Sequence, residues 1–288
     1  MSYGRHQSFF LKRHWVNKGI NTLNKDGENV FVDKDKYKDL GIGKNMHQAL
    51  RYWLETINII DYKRKERKHE LSDFGHLVQK FDPAGQSLFT LALVHYHLVK
   101  YDSDKNRRAD TFYWFFNENK NTYITKSTFI EELEDYSQGR ISRNTLSRDI
   151  DCLFQTYTKK TRSHPEDKNI SLLANLNLLI KDEHFYVKKP LTVNDETSKA
   201  FYYILNEYDK DEHKESFKTT LDSVTEEIGT LFNWNRTKTI ESIELLNKLK
   251  YPVHIDRTNN LDTIHLNEKR DPEELLQDLF NEVFGYEN

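Results

Sequence analysis

Apolar residues recur along much of this chain at three- and four-residue intervals, most clearly over residues 41–60, GIGKNMHQALRYWLETINII. Met46, Ala49, Leu50, Trp53, Leu54 and Ile57 there fall on one stripe of a 3.6-period helix. Lys44, Asn45, His47, Gln48, Arg51 and Tyr52 take the remaining surface, so basic and amide groups crowd the first turns. Residues 33–40 can form a short helix capped by Asp33, and Gly41 and Gly43 permit a sharp turn before the next one. A basic hairpin, DYKRKERKHE, follows at 61–70, and a new helix starts at Leu71-Ser72-Asp73. Helix, glycine turn, helix and hairpin outline a winged helix-turn-helix, whose second helix would enter a DNA major groove.

Farther along, residues 88–99 are apolar nearly all round, which predicts a buried central helix. His95 and His97 look like a metal pair, but side chains two apart on a helix diverge, so packed core histidines are expected. Residues 102–110 read as a charged loop, and the aromatic run 112–116 reads as core rather than as a base-stacking platform. Residues 125–157 then repeat the earlier grammar. Ser127 or Thr128 caps one helix, a turn follows at Gln138-Gly139-Arg140, and Ser142 caps a second. That second helix turns Leu146, Ile150, Leu153, Phe154 and Tyr157 inward and opens outward with Arg143, Asn144, Ser147 and Arg148. Residues 220–266 give two more helices and a hairpin after Pro252, and residues 271–284 a final amphipathic helix.

The fold class expected from these patterns is mainly α, with tandem winged helix-turn-helix units and short β-hairpin wings around a helical middle region. Three domains follow: an amino-terminal winged-helix DNA-binding domain at 1–82, a helical middle domain with the second helix-turn-helix at 83–190, and an acidic winged-helix-like domain at 191–288.

Charge sharpens this division. Residues 1–69 hold 15 Lys and Arg against 8 Asp and Glu, whereas residues 190–288 hold 11 against 21. A basic head suits a polyanion, and an acidic tail suits a protein partner, dimerisation or plain solvation. The single cysteine, Cys152, excludes an internal disulfide and fits a reducing compartment. With no secretory leader and no apolar run near the roughly 18–20 residues that span a bilayer, a cytoplasmic protein without membrane contact is expected.

The expected DNA contacts are Lys44, Asn45, His47, Gln48 and Arg51 on the first basic helix and Lys63, Arg64, Lys65, Arg67 and Lys68 in the hairpin. Arg140, Arg143, Asn144 and Arg148 in the second motif complete the set. Cleavage chemistry is much harder to find. Asp102, Asp104, Asp110 and the Pro-Glu-Asp-Lys at 165–168 read as loop acids, and Gly41-x-Gly43-Lys44 lacks the spacing of a phosphate loop. No catalytic residue is identified; His6, beside Gln7, is the nearest to a reactive candidate, and its alternative role is to bond the amino-terminal segment to the first domain. No cofactor is evident, and no metal ligand set.

Several blocks resemble one family. Arg5-His6-Gln7-Ser8-Phe9 through Trp15 and Lys18-Gly19 are similar to its amino-terminal signature, and Leu40-Gly41-Ile42-Gly43-Lys44-Asn45-Met46 with Arg51-Tyr52-Trp53-Leu54 to its most characteristic block. Trp114-Phe115-Phe116-Asn117 and Ser142-x-Asn144-Thr145-Leu146-x-Arg148-Asp149-Ile150-Asp151-Cys152 continue the match. On these residues the chain resembles the DUF4007 proteins along nearly its whole length.

The resemblance implies a component of bacterial DNA phosphorothioation systems, which replace a non-bridging phosphate oxygen by sulfur and serve phage defence. It implies a DNA-nicking endonuclease acting on double-stranded DNA with Mg or Mn, beside a sulfurtransferase, an ATPase and other phosphorothioation proteins, and open to homodimer formation. Gln7 stands where many members have glutamate, so an acid's chemistry cannot be carried over to it. The alternative is a non-catalytic winged-helix adaptor or transcriptional regulator that binds DNA and recruits partner enzymes.

Overall fold

The computed structural model describes residues 2–33, 35–100, 109–159, 170–208, 215–258 and 261–285. Among them the chain is mainly helical, with three small antiparallel sheets. Two compact units emerge: one comprises Met1–Gln86 with Val94–Lys189, the other Ser87–Leu93 with Pro190–Asn288. Thus 1–82 and nearly all of 83–190 lie in one unit, and a unit boundary falls at 190.

The first unit opens with α1 (His14–Asp26), which no helix expectation covered although Trp15, Val16, Ile20 and Leu23 form its buried side. Of the short helix expected over 33–40, none is present among the described residues 35–40. They wind through successive turns, with bonds such as Lys38 N–H to Asp35 O and Gly41 N–H to Lys38 O. Tyr37 and Leu40 are only half-buried there, and so short a segment without a buried stripe cannot offset the cost of helix nucleation. Gly41 takes a φ of 61°, the left-handed turn that the sequence called for.

Next comes α2 (Lys44–Thr56), its stripe of Ala49, Leu50, Trp53, Leu54 and Ile57 no more than 1% exposed. Burying each of the larger aliphatic side chains, Leu50, Leu54 and Ile57, is worth about 1.5–3 kcal/mol, enough to fix which face of α2 looks inward. The hairpin β1 (Ile60–Lys63) and β2 (Lys68–Leu71) pairs Ile60 with Leu71 and Lys63 with Lys68. Ser72 caps α3 (Asp73–Phe81), whose Gly75 approaches so close to Ile59 O that a Cβ would sit 2.0 Å away.

The helix α4 (Leu88–Val99) is divided between the units. In its second half His95 Nδ1 lies 2.6 Å from the Tyr157 hydroxyl, and His97 packs on Phe74. Both histidines are core residues, as expected. The aromatic run forms α5 (Asp110–Tyr113) and a π-helical turn at Trp114–Glu118, with Phe112, Trp114, Phe115 and Phe116 buried. It is followed by β3 (Tyr123–Ile124), α6 (Lys126–Tyr136) and α7 (Arg143–Tyr157). Thr125, not Ser127 or Thr128, caps α6, exchanging bonds with Thr128 in a reciprocal box. Ser142 caps α7 as expected. The hairpin β4 (Leu179–Asp182) and β5 (Phe185–Lys188) completes a sheet of order β3-β5-β4, which the sequence reading missed.

The second unit repeats that order. A helix, α8 (Asp195–Tyr208), precedes β6 (Phe217–Thr220), α9 (Leu221–Glu227), α10 (Arg236–Lys248), β7 (Val253–Thr258) and β8 (Leu261–Leu266). Its sheet runs β6-β8-β7. The closing helix α11 (Pro272–Phe284) starts on an Asp271 cap with proline in its first turn and buries Leu275, Leu276, Leu279 and Phe280. The expected loop acids Asp102 and Asp104 and the Pro-Glu-Asp-Lys at 165–168 lie outside the described residues.

Candidate nucleic-acid interface

The two helices singled out by their basic surfaces, α2 and α7, are joined through the amino-terminal residues 2–9. Asp149, on the inner side of α7 and 3% exposed, is the centre of that junction. Its carboxylate accepts from Gly4 N–H at 3.0 and 3.2 Å, from His6 Nε2 at 2.9 Å and from the Thr111 hydroxyl at 3.3 Å. These donors meet the requirement that a buried charge be satisfied by hydrogen bonds. The Ser2 amide similarly binds Asp110.

His6 is 2% exposed, its ring stacked 6.2 Å from Trp53 of α2. Ser8 N–H donates to His6 Nδ1 at 3.0 Å, which places the ring proton on Nε2, facing Asp149. Neither nitrogen is left to take a proton from a substrate. These bonds hold the amino-terminal segment in place, which is the alternative role considered for His6. Beyond it the Phe9 carbonyl accepts from Trp53 Nε1 at 2.8 Å and from Cys152 Sγ at 3.4 Å. Burial raises the Cys152 thiol pKa well above its ordinary value, so this cysteine stays protonated and unreactive.

On α2, Lys44 and Asn45 are exposed and Gln48 is half-buried. Asn45, Gln48 and Tyr52 are spaced to line one face, and Arg5 lies over the Tyr52 ring at 5.7 Å from its centroid. Arg51 is half-buried and donates to Phe31 O at 3.2 Å. His47 does not belong to this face. It is 5% exposed, sits 3.0 Å from Val30 O and stacks on Phe31, and burial lowers its pKa, so it carries no charge to offer a phosphate at neutral pH.

On α7, Asn144 and Arg148 are exposed beside the line of Thr145, Asp149 and Cys152 that meets the amino-terminal residues. Arg148 makes no ion pair among the described residues. Arg143 is turned onto α6, 2.6 Å from Glu134, and Arg140 donates to Ser137 O and Gln138 Oε1 in the turn. The amino-terminal end of α7 adds backbone N–H groups and the positive end of its dipole.

In the hairpin the five cations separate into two groups. Lys63 pairs with Glu70 at 2.8 Å, and Lys68 with Glu66 at 2.8 Å and Glu28 at 3.1 Å. Those acids raise the pKa of both lysines and neutralise their fields. Arg64, Lys65 and Arg67 at the tip are exposed and make no ion pair among the described residues.

Sequence reasoning missed Asp149, although a carboxylate flanked by Leu146, Ile150 and Leu153 on an inward stripe was a visible signal. It noted Arg5 without assigning it a place. Among the described residues no group of three or more His, Cys, Asp or Glu is arranged to hold a metal ion, and no helix is long and apolar enough to cross a membrane.

Comparison with known proteins adds kinship. The sequence model of a family described as protein of unknown function, DUF4007, matches residues 3–284. A crystal structure of SspB is similar with a TM-score of 0.84 and 16% identity, covering 99% of this chain and 88% of that one. A magnesium-bound SspB structure is similar at a TM-score of 0.83, with the same identity and coverage. At that identity the likeness establishes the fold. Curated proteins give no match.

Proposed function

Because the chain belongs to the DUF4007 family, we propose that it is the DNA-binding component of a bacterial DNA phosphorothioation system, acting in phage defence. The observations that carry this reading are the exposed Lys44 and Asn45 of α2 and Asn144 and Arg148 of α7, together with the exposed Arg5, which lies over Tyr52 of α2 next to Gly4, itself bound to Asp149 of α7. Cations and amides on two helix faces suit phosphate clamping and base-edge contact in duplex DNA. The order of helix, strand, two helices and hairpin that surrounds α7 and recurs around α10 supports assigning those stretches as winged helices. The helix α2, followed directly by the hairpin β1–β2, supports a simpler unit of the same kind; α2 and α7 are then the helices that approach DNA. The acidic second unit is then the surface for a sulfurtransferase, an ATPase or a second copy.

Strand nicking with Mg or Mn is the finer assignment, supported by kinship alone. The visible chemistry of the described residues is binding chemistry, which favours an adaptor that delivers partner enzymes. Supercoiled plasmid incubated with the purified protein and Mg²⁺ or Mn²⁺, against an EDTA control, separates the two. Metal-dependent conversion to open circle supports a nickase, and intact supercoils at high protein support the adaptor. The binding reading itself is tested by salt. Six exposed cations, Arg5, Lys44, Arg64, Lys65, Arg67 and Arg148, would give a slope of log K against log salt near about −5. A flat response refutes it.

A further inference from the structure

We infer that residues 2–8 are a DNA-contacting arm, which sets the Arg5 guanidinium on the sugar–phosphate backbone between α2 and α7, and that His6 positions it. The inference rests on the DNA-binding reading above and adds an element to it.

Three observations carry it. First, the arm touches both helices: Gly4 and His6 bind Asp149 of α7, while His6 and Arg5 lie against Trp53 and Tyr52 of α2. Second, its backbone is held in an unfavourable shape. Gly4, Gln7 and Ser8 have φ of 68°, 50° and 63°, and for the latter two that left-handed conformation is costly. The bonds from Ser8 N–H to His6 Nδ1 and from His6 Nε2 to Asp149 hold the turn against that cost. Third, the shape turns the buried residue of the sequence Arg5-His6-Gln7 inward and both flanking polar residues outward. Arg5 and Gln7 are exposed, and Arg5 makes no ion pair among the described residues.

A plain anchor would need only the inward bonds. The bonded turn also fixes a guanidinium over Tyr52, where the ring face orients it without neutralising it. Phosphate oxygens, which take charge-assisted bonds from arginine, complete that arrangement. His6 itself, being buried, acts through Arg5 and is a positioning residue.

The test is fluorescence anisotropy of the full chain on a fluorescein-labelled random-sequence duplex, at several salt concentrations, with thermal melting as the control for folding. Arg5→Ala is expected to weaken binding about 5- to 10-fold and to make the salt slope shallower by about one. His6→Ala should lose a similar factor, and the double variant should be no weaker than the weaker single one, because both remove the same contact. His6→Gln, which retains a donor towards Asp149, should recover part of the loss. Unchanged affinity and slope for Arg5→Ala, with Arg148→Ala weakening binding, would overturn the arm while leaving the two-helix face standing. Multiplying losses in the double variant would overturn the positioning role of His6. Should Arg5→Ala, Lys44→Ala and Arg148→Ala all bind like the parent, the arm and the underlying reading both fail. If His6→Ala does not fold, Arg5→Ala and Arg5→Glu decide the arm, and His6→Gln, alone and combined with Arg5→Ala, decides the positioning role.

Discussion

Replacing Asp149 by alanine should unfasten the amino-terminal turn and weaken the first unit. The carboxylate is 3% exposed and accepts from Gly4 N–H, His6 Nε2 and the Thr111 hydroxyl. Hydrogen bonds to a charged group are each worth about 1.5–3 kcal/mol, so three of them set a ceiling of several kcal/mol. The ceiling is not reached, for two reasons. Once released, Gly4 and His6 can find water, and Gln7 and Ser8 can leave the left-handed region at a gain of roughly 1–2 kcal/mol each. Truncation also frees the variant from holding a buried charge. The net loss is about 2–4 kcal/mol, with Asp149→Asn intermediate because one acceptor oxygen remains.

Guanidinium unfolding followed by tryptophan fluorescence reads this loss, since Trp53 stacks on His6 and donates to Phe9 O. Amide exchange at Gly4 and Ser8 reads the turn directly: both amides should be protected in the parent and exchange freely in the variant. A loss below about 0.5 kcal/mol, or unaltered exchange at those two amides, would refute the account of Asp149 as the point that holds the segment.

The remaining expectations concern packing, face and charge. Gly75→Ala should cost about 2–3 kcal/mol or more, because the new Cβ meets the Ile59 carbonyl at 2.0 Å and backbone must shift; an unaltered melting temperature would contradict the close approach. His47→Ala should lower stability and leave the salt slope of DNA binding unchanged, whereas Arg148→Ala should do the reverse; identical behaviour of the two would mean the outward face is misassigned. Lys188 donates to Phe115 O and Asn119 O, and burial brings its pKa from 10.5 down to about 7. Between those values the unfolded chain binds the extra proton, so the contribution of Lys188 is fully present above about 10.5 and is lost as pH falls through about 7. Urea midpoints should therefore rise from pH 7 to 9.5 more steeply in the parent than in Lys188→Met, and parallel profiles would remove Lys188 from the explanation.

Much of the helical skeleton was readable from residue order because its causes are local. The inward side of α2 follows from the spacing of Ala49, Leu50, Trp53, Leu54 and Ile57, and the start of α7 from the Ser142 hydroxyl bonding Thr145 N–H. The hairpin at 60–71 was equally plain. Where a pattern was short or balanced, the reading failed. Residues 35–40 lack a buried side to hold a helix, and the four-residue strands β4 and β5 are recognisable only through partners.

The candidate site shows the same division. Residue types named the two basic helices separately, since each motif is contiguous. Nothing in the order of residues says that Asp149 and His6, 143 positions apart, share a hydrogen bond, or that Lys63 and Lys68 are answered by Glu70, Glu66 and Glu28. Nor does it say that His47 turns to Val30 and Phe31 and away from solvent. A helix period tells which side chains share a face, but which cations remain available depends on the acids and carbonyls that distant segments bring within about 3 Å. Those neighbours are set by packing, and so the sequence supplied the basic groups while the tertiary structure decided which of them remain exposed and unpaired.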